Sequence, residues 1–240
     1  MRAKTLLLAP LIVAQALWVV LRATRLPEPA GPREGRAGKG PLLRLLIIGD
    51  SSAAGVGAMH QNEALAGKLV ATLSQTHAVE WRLIAKTGAT AASTVRRLRR
   101  EAAQPCDVVV SVLGVNDSKN GVSLARWRRS YTALLDRLQN DWGATRIILC
   151  AVPPLEQFPI LPAPLNRLLG TRAARLDAEL SRIARKRDAV HYFSPDMVLE
   201  PAAMASDGFH PGPELYGELA RELVQIITMS AARRMAPPYV

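Results

Sequence analysis

The sequence predicts an α/β domain of three layers, flavodoxin-like in plan, with a five-stranded parallel sheet preceded by an N-terminal membrane helix. Three observations carry this expectation. From residue 42 onward, apolar runs of four to six residues alternate with longer stretches of helical period. The segments after the first three runs are rich in Gly, Asp, Ser, Thr and Asn, as expected at the carboxyl edge of a parallel sheet. The first 26 residues are of another kind, with no charge from residue 5 to residue 21.

Residues 1–26 read as a membrane anchor or signal segment. At 1.5 Å per residue the uncharged run reaches roughly 26 Å, the short edge of a bilayer span. Arg2 and Lys4 ahead of it also suit a secretory signal, and Ala14-Gln15-Ala16 has the form of a cleavage site. Cutting there would leave Leu17-Trp18-Val19-Val20-Leu21 as an apolar terminus, so an uncleaved anchor is the expected state. More Arg and Lys follow the run than precede it, which places the domain on the cytoplasmic face. A periplasmic or secreted domain is the alternative. Residues 27–41, made of Pro, Gly and charge, read as a tether, residues 42–231 as the domain and residues 232–240 as a tail. Every catalytic candidate lies beyond Gly49, so removal of residues 1–40 is expected to leave an active domain.

The strands are expected at 43–48, 80–85, 107–112, 146–151 and 189–192. The helices are expected at about 62–75, 91–100, 124–140, 164–187 and 213–229, the last opened by Pro213. Strands that alternate with helices pair in parallel and are buried on both faces. Residues 153–170 form an apolar, proline-rich insertion after the fourth strand, either a mobile flap over an acyl group or a packed surface loop.

Composition excludes several classes. Hydrophobic residues at 49% exclude a disordered chain. Two cysteines exclude a disulfide-stapled miniprotein and a four-thiolate zinc site. Cys106 and Cys150 fall at opposite ends of neighbouring strands and are expected to stay free. No Cys/His cluster is present, so no metal or cofactor is expected. Only 5% of residues are aromatic, against a platform for nucleic acid. The net charge of +11 resides in arginine groups such as Arg96, Arg97, Arg99 and Arg100. They read as solvated helix faces, or as a surface that contacts anionic lipid.

The loops hold the chemistry. The first, Gly49-Asp50-Ser51-Ser52-Ala53-Ala54-Gly55-Val56-Gly57, lacks the Lys-Ser/Thr pair of a phosphate loop and the third glycine of a dinucleotide fingerprint. A serine nucleophile fits better. A hydroxyl needs a base within hydrogen-bond reach, and the base needs an orienting group. Asp207 and His210, three residues apart before the last helix, suit those tasks. The tetrahedral intermediate needs donors for its oxyanion, which the Ser51 N–H, the Gly88 N–H and the Asn116 amide can supply. Gly88 and Asn116 also have plain readings, as a turn residue and a helix cap. His60, His77 and His191 have no carboxylate at a comparable offset and are assigned no role.

Ser51, Gly88, Asn116 and His210, in that order on successive loops, resemble the SGNH/GDSL hydrolases, a family named for such residues. Gly49-Asp50-Ser51, Gly114-Val115-Asn116-Asp117 and Asp207-Gly208-Phe209-His210 carry the likeness over about residues 43–229. Ser52 stands where leucine is common, so the nucleophile is assigned by position: Ser51, which follows Gly-Asp directly, is the expected one. The resemblance implies a serine esterase, lipase, lysophospholipase or thioesterase acting on a lipid or small-molecule ester through an acyl-enzyme. A carbohydrate acetylesterase and a non-catalytic, membrane-tethered lipid-binding module are the alternatives.

Overall fold

The computed structural model describes residues 8–195 and 200–235, with side chains through residue 228. The helical period at the N-terminus produces α1 (Ala9–Arg22), and the next element is a short strand, β1 (Glu34–Ala37). Then come β2 (Leu42–Gly49), α2 (Ser51–Ala54), α3 (Leu65–Leu73), β3 (Ala78–Ala85), α4 (Ala91–Leu98) and β4 (Val108–Val112). The second half holds α5 (Val115–Lys119), α6 (Leu124–Asn140), β5 (Arg146–Cys150), α7 (Leu165–Ala184), β6 (Val190–Phe193) and α8 (Pro213–Met235). The five strands and five long helices expected of the domain all form, with ends shifted by a few residues. The short helices α2 and α5 sit inside loops whose length gives no helical period to read.

The strand order is β1-β3-β2-β4-β5-β6. β2 to β6 are parallel, and β1 pairs antiparallel with β3 at the edge. The expected five-stranded parallel sheet is therefore a mixed sheet of six strands. The sixth comes from the stretch expected to be a tether. Its four residues carry no apolar alternation, because an edge strand needs only its backbone to pair.

Alternation along β2 shows how the layers form. Leu46 and Ile48 point into one apolar cluster with α4, α6 and α7, while Leu45 and Ile47 point into a second with α3 and α8. Trp127 and Tyr131 of α6 pack edge to face, with ring centroids 4.5 Å apart, in the first cluster. The second closes on Tyr216, whose hydroxyl donates to the Val56 carbonyl and ties α8 to the loop after α2.

The expected membrane-spanning helix is not found. No helix among the described residues is long and apolar enough to cross a membrane. α1 has 14 residues, roughly 21 Å of rise. The first part of the uncharged run, residues 5–7, lies outside the described residues. One side of α1 packs on the domain through Ile12, Ala16 and Val19. Gln15 donates to the Ala163 carbonyl at 2.7 Å and accepts from the Leu165 N–H at 3.1 Å. The other side exposes Leu17, Trp18, Val20 and Leu21.

The insertion at 153–170 is a packed loop. Leu155, Phe158, Leu161 and Leu165 are buried in the first cluster. Both cysteines are free and buried, and burial pushes each thiol up to about 12.

Candidate active site

The carboxyl edge of the sheet gathers three loops at the point where the strand order reverses, between β2 and its neighbours β3 and β4. Ser51 opens α2 immediately after β2. Gly49 makes this turn feasible, because a Cβ there would stand 2.3 Å from the Val112 carbonyl oxygen. Asp50 caps α2, its Oδ1 accepting from the Ser52 N–H at 3.1 Å. Ser51 thus begins a helix whose first N–H groups have no partner within it.

His210 reaches this loop from the other end of the chain. A Cβ on Gly57 would stand 2.2 Å from the Pro211 carbonyl oxygen, so glycine permits the two loops to touch. Asp207 Oδ1 accepts from the N–H groups of Phe209 and His210 at 2.9 and 3.0 Å, which makes a tight turn. Its Oδ2 lies 2.5 Å from His210 Nδ1, and His210 Nε2 lies 2.9 Å from Ser51 Oγ. With Nδ1–H donating to the carboxylate, Nε2 is left to accept from the serine hydroxyl. Burial pushes the Asp207 carboxyl up, but hydrogen bonds from His210 and Phe209 outweigh it and hold the group below its ordinary value. The imidazole meets Ser51 and not Ser52.

Gly88 and Asn116 come to the same edge. Asn116 Nδ2 donates to the Ala89 carbonyl at 3.0 Å and to Asp50 Oδ2 at 3.3 Å, which links the β4 loop to those after β3 and β2. Gly88 has φ +80°, and nothing lies within 4 Å of where its Cβ would be. Its face is open. Asn116-Asp117 does not cap α6, since that helix is capped by the Ser123 hydroxyl. Asp117 instead accepts from the Ala91 N–H at 3.1 Å, at the first turn of α4.

Two buried carboxyls lie under the site. Desolvation pushes Asp50 up to about 6. Desolvation and the nearby Asp50 push Asp117 up to about 7. Among the described residues His210 is the histidine bonded to Asp207 and Ser51, and the His77 ring meets the Thr76 hydroxyl instead. Among the described residues, no group of three or more His, Cys, Asp or Glu is placed to hold a metal.

Sequence reasoning missed the supports of this edge. Glu28 Oε1 accepts from the N–H and the hydroxyl of Thr87, at 2.7 and 2.8 Å, beside Gly88. Arg33 pairs with Glu28 at 2.8 Å and donates to the Ala85 carbonyl. Phe209 packs edge to face between Phe158 and the His210 ring, at centroid distances of 5.1 and 5.2 Å. No local pattern marks Glu28 or Arg33, because Thr87 and Ala85, which they hold, are more than 50 residues away.

Comparison with known proteins bears on the fold and the family. No protein of curated function matches the chain. Solved structures do, at low identity. The psychrotrophic esterase EstA from Pseudoalteromonas sp. is 20% identical, with a TM-score of 0.55 over 80% of this chain and 98% of that one. The acetylxylan esterase Axe2 from Geobacillus stearothermophilus is 21% identical, with a TM-score of 0.57 over 78% and 95%. A lipolytic G-D-S-L family protein from Veillonella parvula DSM 2008 is 13% identical, with a TM-score of 0.59 over 78% and 98%. These likenesses concern the fold. The GDSL-like Lipase/Acylhydrolase family matches residues 47–217, from the end of β2 into α8. With that span, and with the loops that carry its motifs meeting at one edge, the chain belongs to the GDSL-like lipase/acylhydrolase family.

Proposed function

We propose that this protein is a serine esterase that cleaves acyl esters through an acyl-enzyme, with Ser51 as nucleophile, His210 as base and Asp207 as its orienting group. The observation that carries the reading is the unbroken line from Asp207 Oδ2 through the His210 ring to Ser51 Oγ, with steps of 2.5 and 2.9 Å. Ser51 Oγ attacks the ester carbonyl carbon while His210 Nε2 takes the hydroxyl proton. The carbonyl π pair moves to oxygen, and the oxyanion takes hydrogen bonds from the Ser51 N–H, the Gly88 N–H and Asn116 Nδ2. The longer of the two bonds made by Asn116, the one to Asp50, is the one an oxyanion displaces. Collapse of the intermediate expels the alcohol, which leaves with the proton from His210. Water then attacks the acyl-serine, again losing its proton to His210, and frees the acid and Ser51.

An apolar cavity of about 310 Å³ borders Asp50 and Ser52 and is lined by Val112, Val115, Val152 and Leu215. It supports an acyl chain longer than acetyl. The relation in fold to an acetylxylan esterase supports a second reading, removal of acetyl groups from carbohydrate.

A phosphonate probe that modifies active serines, applied to the parent and to Ser51→Ala, tests the chemistry. Labelling of the parent at Ser51, with hydrolysis lost in the folded variant, is the expected result. An unlabelled parent points to a binding module. Turnover within tenfold of the parent in Ser51→Ala, with Ser52→Ala inactive, assigns the wrong serine. Rates on esters of graded acyl length, with acetylated xylan beside them, separate the two substrate classes.

A further inference from the structure

A cleft of about 540 Å³ opens beside Gly88, between the end of β3 and the length of α4. Four cationic side chains line it: Lys86 from the β3 loop and Arg96, Arg97 and Arg100 from α4 and the turn after it. Its carboxylate, Glu101, is already engaged, accepting from Arg82 at 2.8 Å with Arg97 at 3.9 Å. Among the described residues Lys86, Arg96 and Arg100 make no ion pair with a carboxylate. The negative end of the α4 dipole accounts for cations in its last turn. It does not account for Lys86, which faces the same space from another element. Like charges gathered around one concavity repel each other and concentrate a positive field there.

The position of the cleft gives it a use. Gly88 forms its end toward the site, and the absence of any atom near a Cβ at Gly88 leaves the way from the oxyanion loop open. Gly49, which precedes Asp50 and Ser51, also lines it. The cavity that borders Ser52 is apolar and lies on the other side of the loop, so the two spaces suit the two ends of an amphiphilic ester. We infer that the cleft binds a phosphate carried by the alcohol portion of the substrate, with the guanidinium groups and the Lys86 ammonium as its partners. This inference rests on the esterase reading and names the substrate class of that same site: acyl esters of a phosphorylated alcohol. A lipid headgroup and a soluble acyl phosphate ester such as an acylated glycerol phosphate share that chemistry, and acyl length distinguishes them.

The test compares matched esters with and without the phosphate: 1-acylglycerol 3-phosphate against 1-acylglycerol, each with a long acyl chain and with acetyl. The readout is the ratio of kcat/KM between the phosphorylated and the neutral ester. In the parent this ratio is expected to exceed ten and to fall as salt rises. In the double variant Arg96→Gln/Arg100→Gln it falls at least tenfold, and Lys86→Gln alone moves it in the same direction. Arg99→Gln, at the end of α4 but outside the cleft, leaves it in place. A ratio near one in the parent overturns the proposal. So does an unchanged ratio in the double variant, including the case in which that variant loses only its affinity for vesicles of anionic lipid. Calorimetric titration of glycerol 3-phosphate keeps the cleft testable apart from catalysis. Binding by Ser51→Ala that is lost on adding the double substitution supports the cleft even if no ester is turned over, which would defeat only the esterase reading. No binding by Ser51→Ala overturns the cleft. If the double variant fails to fold, Arg96→Gln and Lys86→Gln singly carry the same comparison.

Discussion

Asp207 divides its two oxygens between two tasks, one shaping the turn through backbone N–H groups and the other holding the His210 ring. That division explains the spacing of three, since Oδ1 reaches the N–H of the residue that Oδ2 orients. Asn116 is also doubly committed, to Asp50 and to Ala89, and in the proposed mechanism it exchanges one partner for the oxyanion. Asn116→Ala should therefore lower kcat about 10²–10³-fold, or roughly 2.7–4 kcal/mol, with little change in KM. Steady-state kinetics read this directly, and an effect confined to KM makes Asn116 a binding residue. The buried carboxyls give a pH signature. Asp117, pushed up to about 7, keeps a proton in the folded state at pH values where the unfolded chain has lost it. Such a group lowers stability as pH rises from about 4 to about 7, by at most about 1.4 kcal/mol per pH unit, and its full cost persists above. Glu28, Glu179 and Asp207, held low, act in the opposite sense but only at and below the ordinary carboxylate range. His191, lowered by partial burial and by Arg146, opposes the Asp117 effect below its ordinary value and does so in parent and variant alike. Asp117→Asn keeps an acceptor for the Ala91 N–H, so it should stabilise the protein at pH 8 relative to the parent and lose that advantage toward pH 4. Urea midpoints across that range test it; parallel curves would show that Asp117 is not the titrating group.

At the scale of elements, the strap of residues 28–37 stands out because it holds the site without touching the reacting atoms. β1 extends the sheet along β3, Pro29 is buried against Gly55, and Glu28 fixes Thr87 beside Gly88, the proposed oxyanion donor. Burial raises the Glu28 carboxyl, but the two Thr87 bonds and Arg33 outweigh it, so the charged form is the bound one. Glu28→Ala should lower kcat about tenfold, some 1.4 kcal/mol, with KM nearly constant. Glu28→Gln, which keeps an oxygen for the Thr87 N–H, should recover most of the loss. A change in KM alone, or no rescue by glutamine, removes Glu28 from the oxyanion loop's support. Elements of this kind are where the sequence is least legible. The central strands β2, β4 and β5 announce themselves because they are mostly apolar and buried on both faces, and the motif loops because glycine and acid sit at strand ends. Apart from Pro29 the strap is not buried, and it has no apolar period. Its Pro, Gly and charges satisfy partners that only the folded chain brings near, and composition alone reads them as a tether.

Across the whole molecule the two ends of the domain meet at the edge that carries the proposed site. The strap reaches it from the N-terminal side, and the loop before α8 reaches it from the C-terminal side, held by the Tyr216 hydroxyl on Val56. α1 stands further out: none of its residues is buried, and its contacts are one glutamine and a few half-covered apolar side chains on the insertion and α7. The uncharged run reads as a bilayer span because hydropathy counts residues without regard to what they pack on. In the fold, one side of α1 faces the protein and the other is open. The two N-terminal segments should therefore separate on truncation. A chain starting at residue 24 loses α1 and should keep its fold, its catalytic rate and a thermal midpoint within a few degrees of the parent, as the small burial lost implies. A chain starting at residue 41 loses in addition an edge strand, the Pro29 contact and the Glu28–Arg33 pair. It should melt well below the shorter truncation and show the kcat deficit of Glu28→Ala on top of that loss. Melting curves and kinetics on the two truncated proteins decide the point. Equal activity and stability in both would return residues 27–40 to the role of a tether.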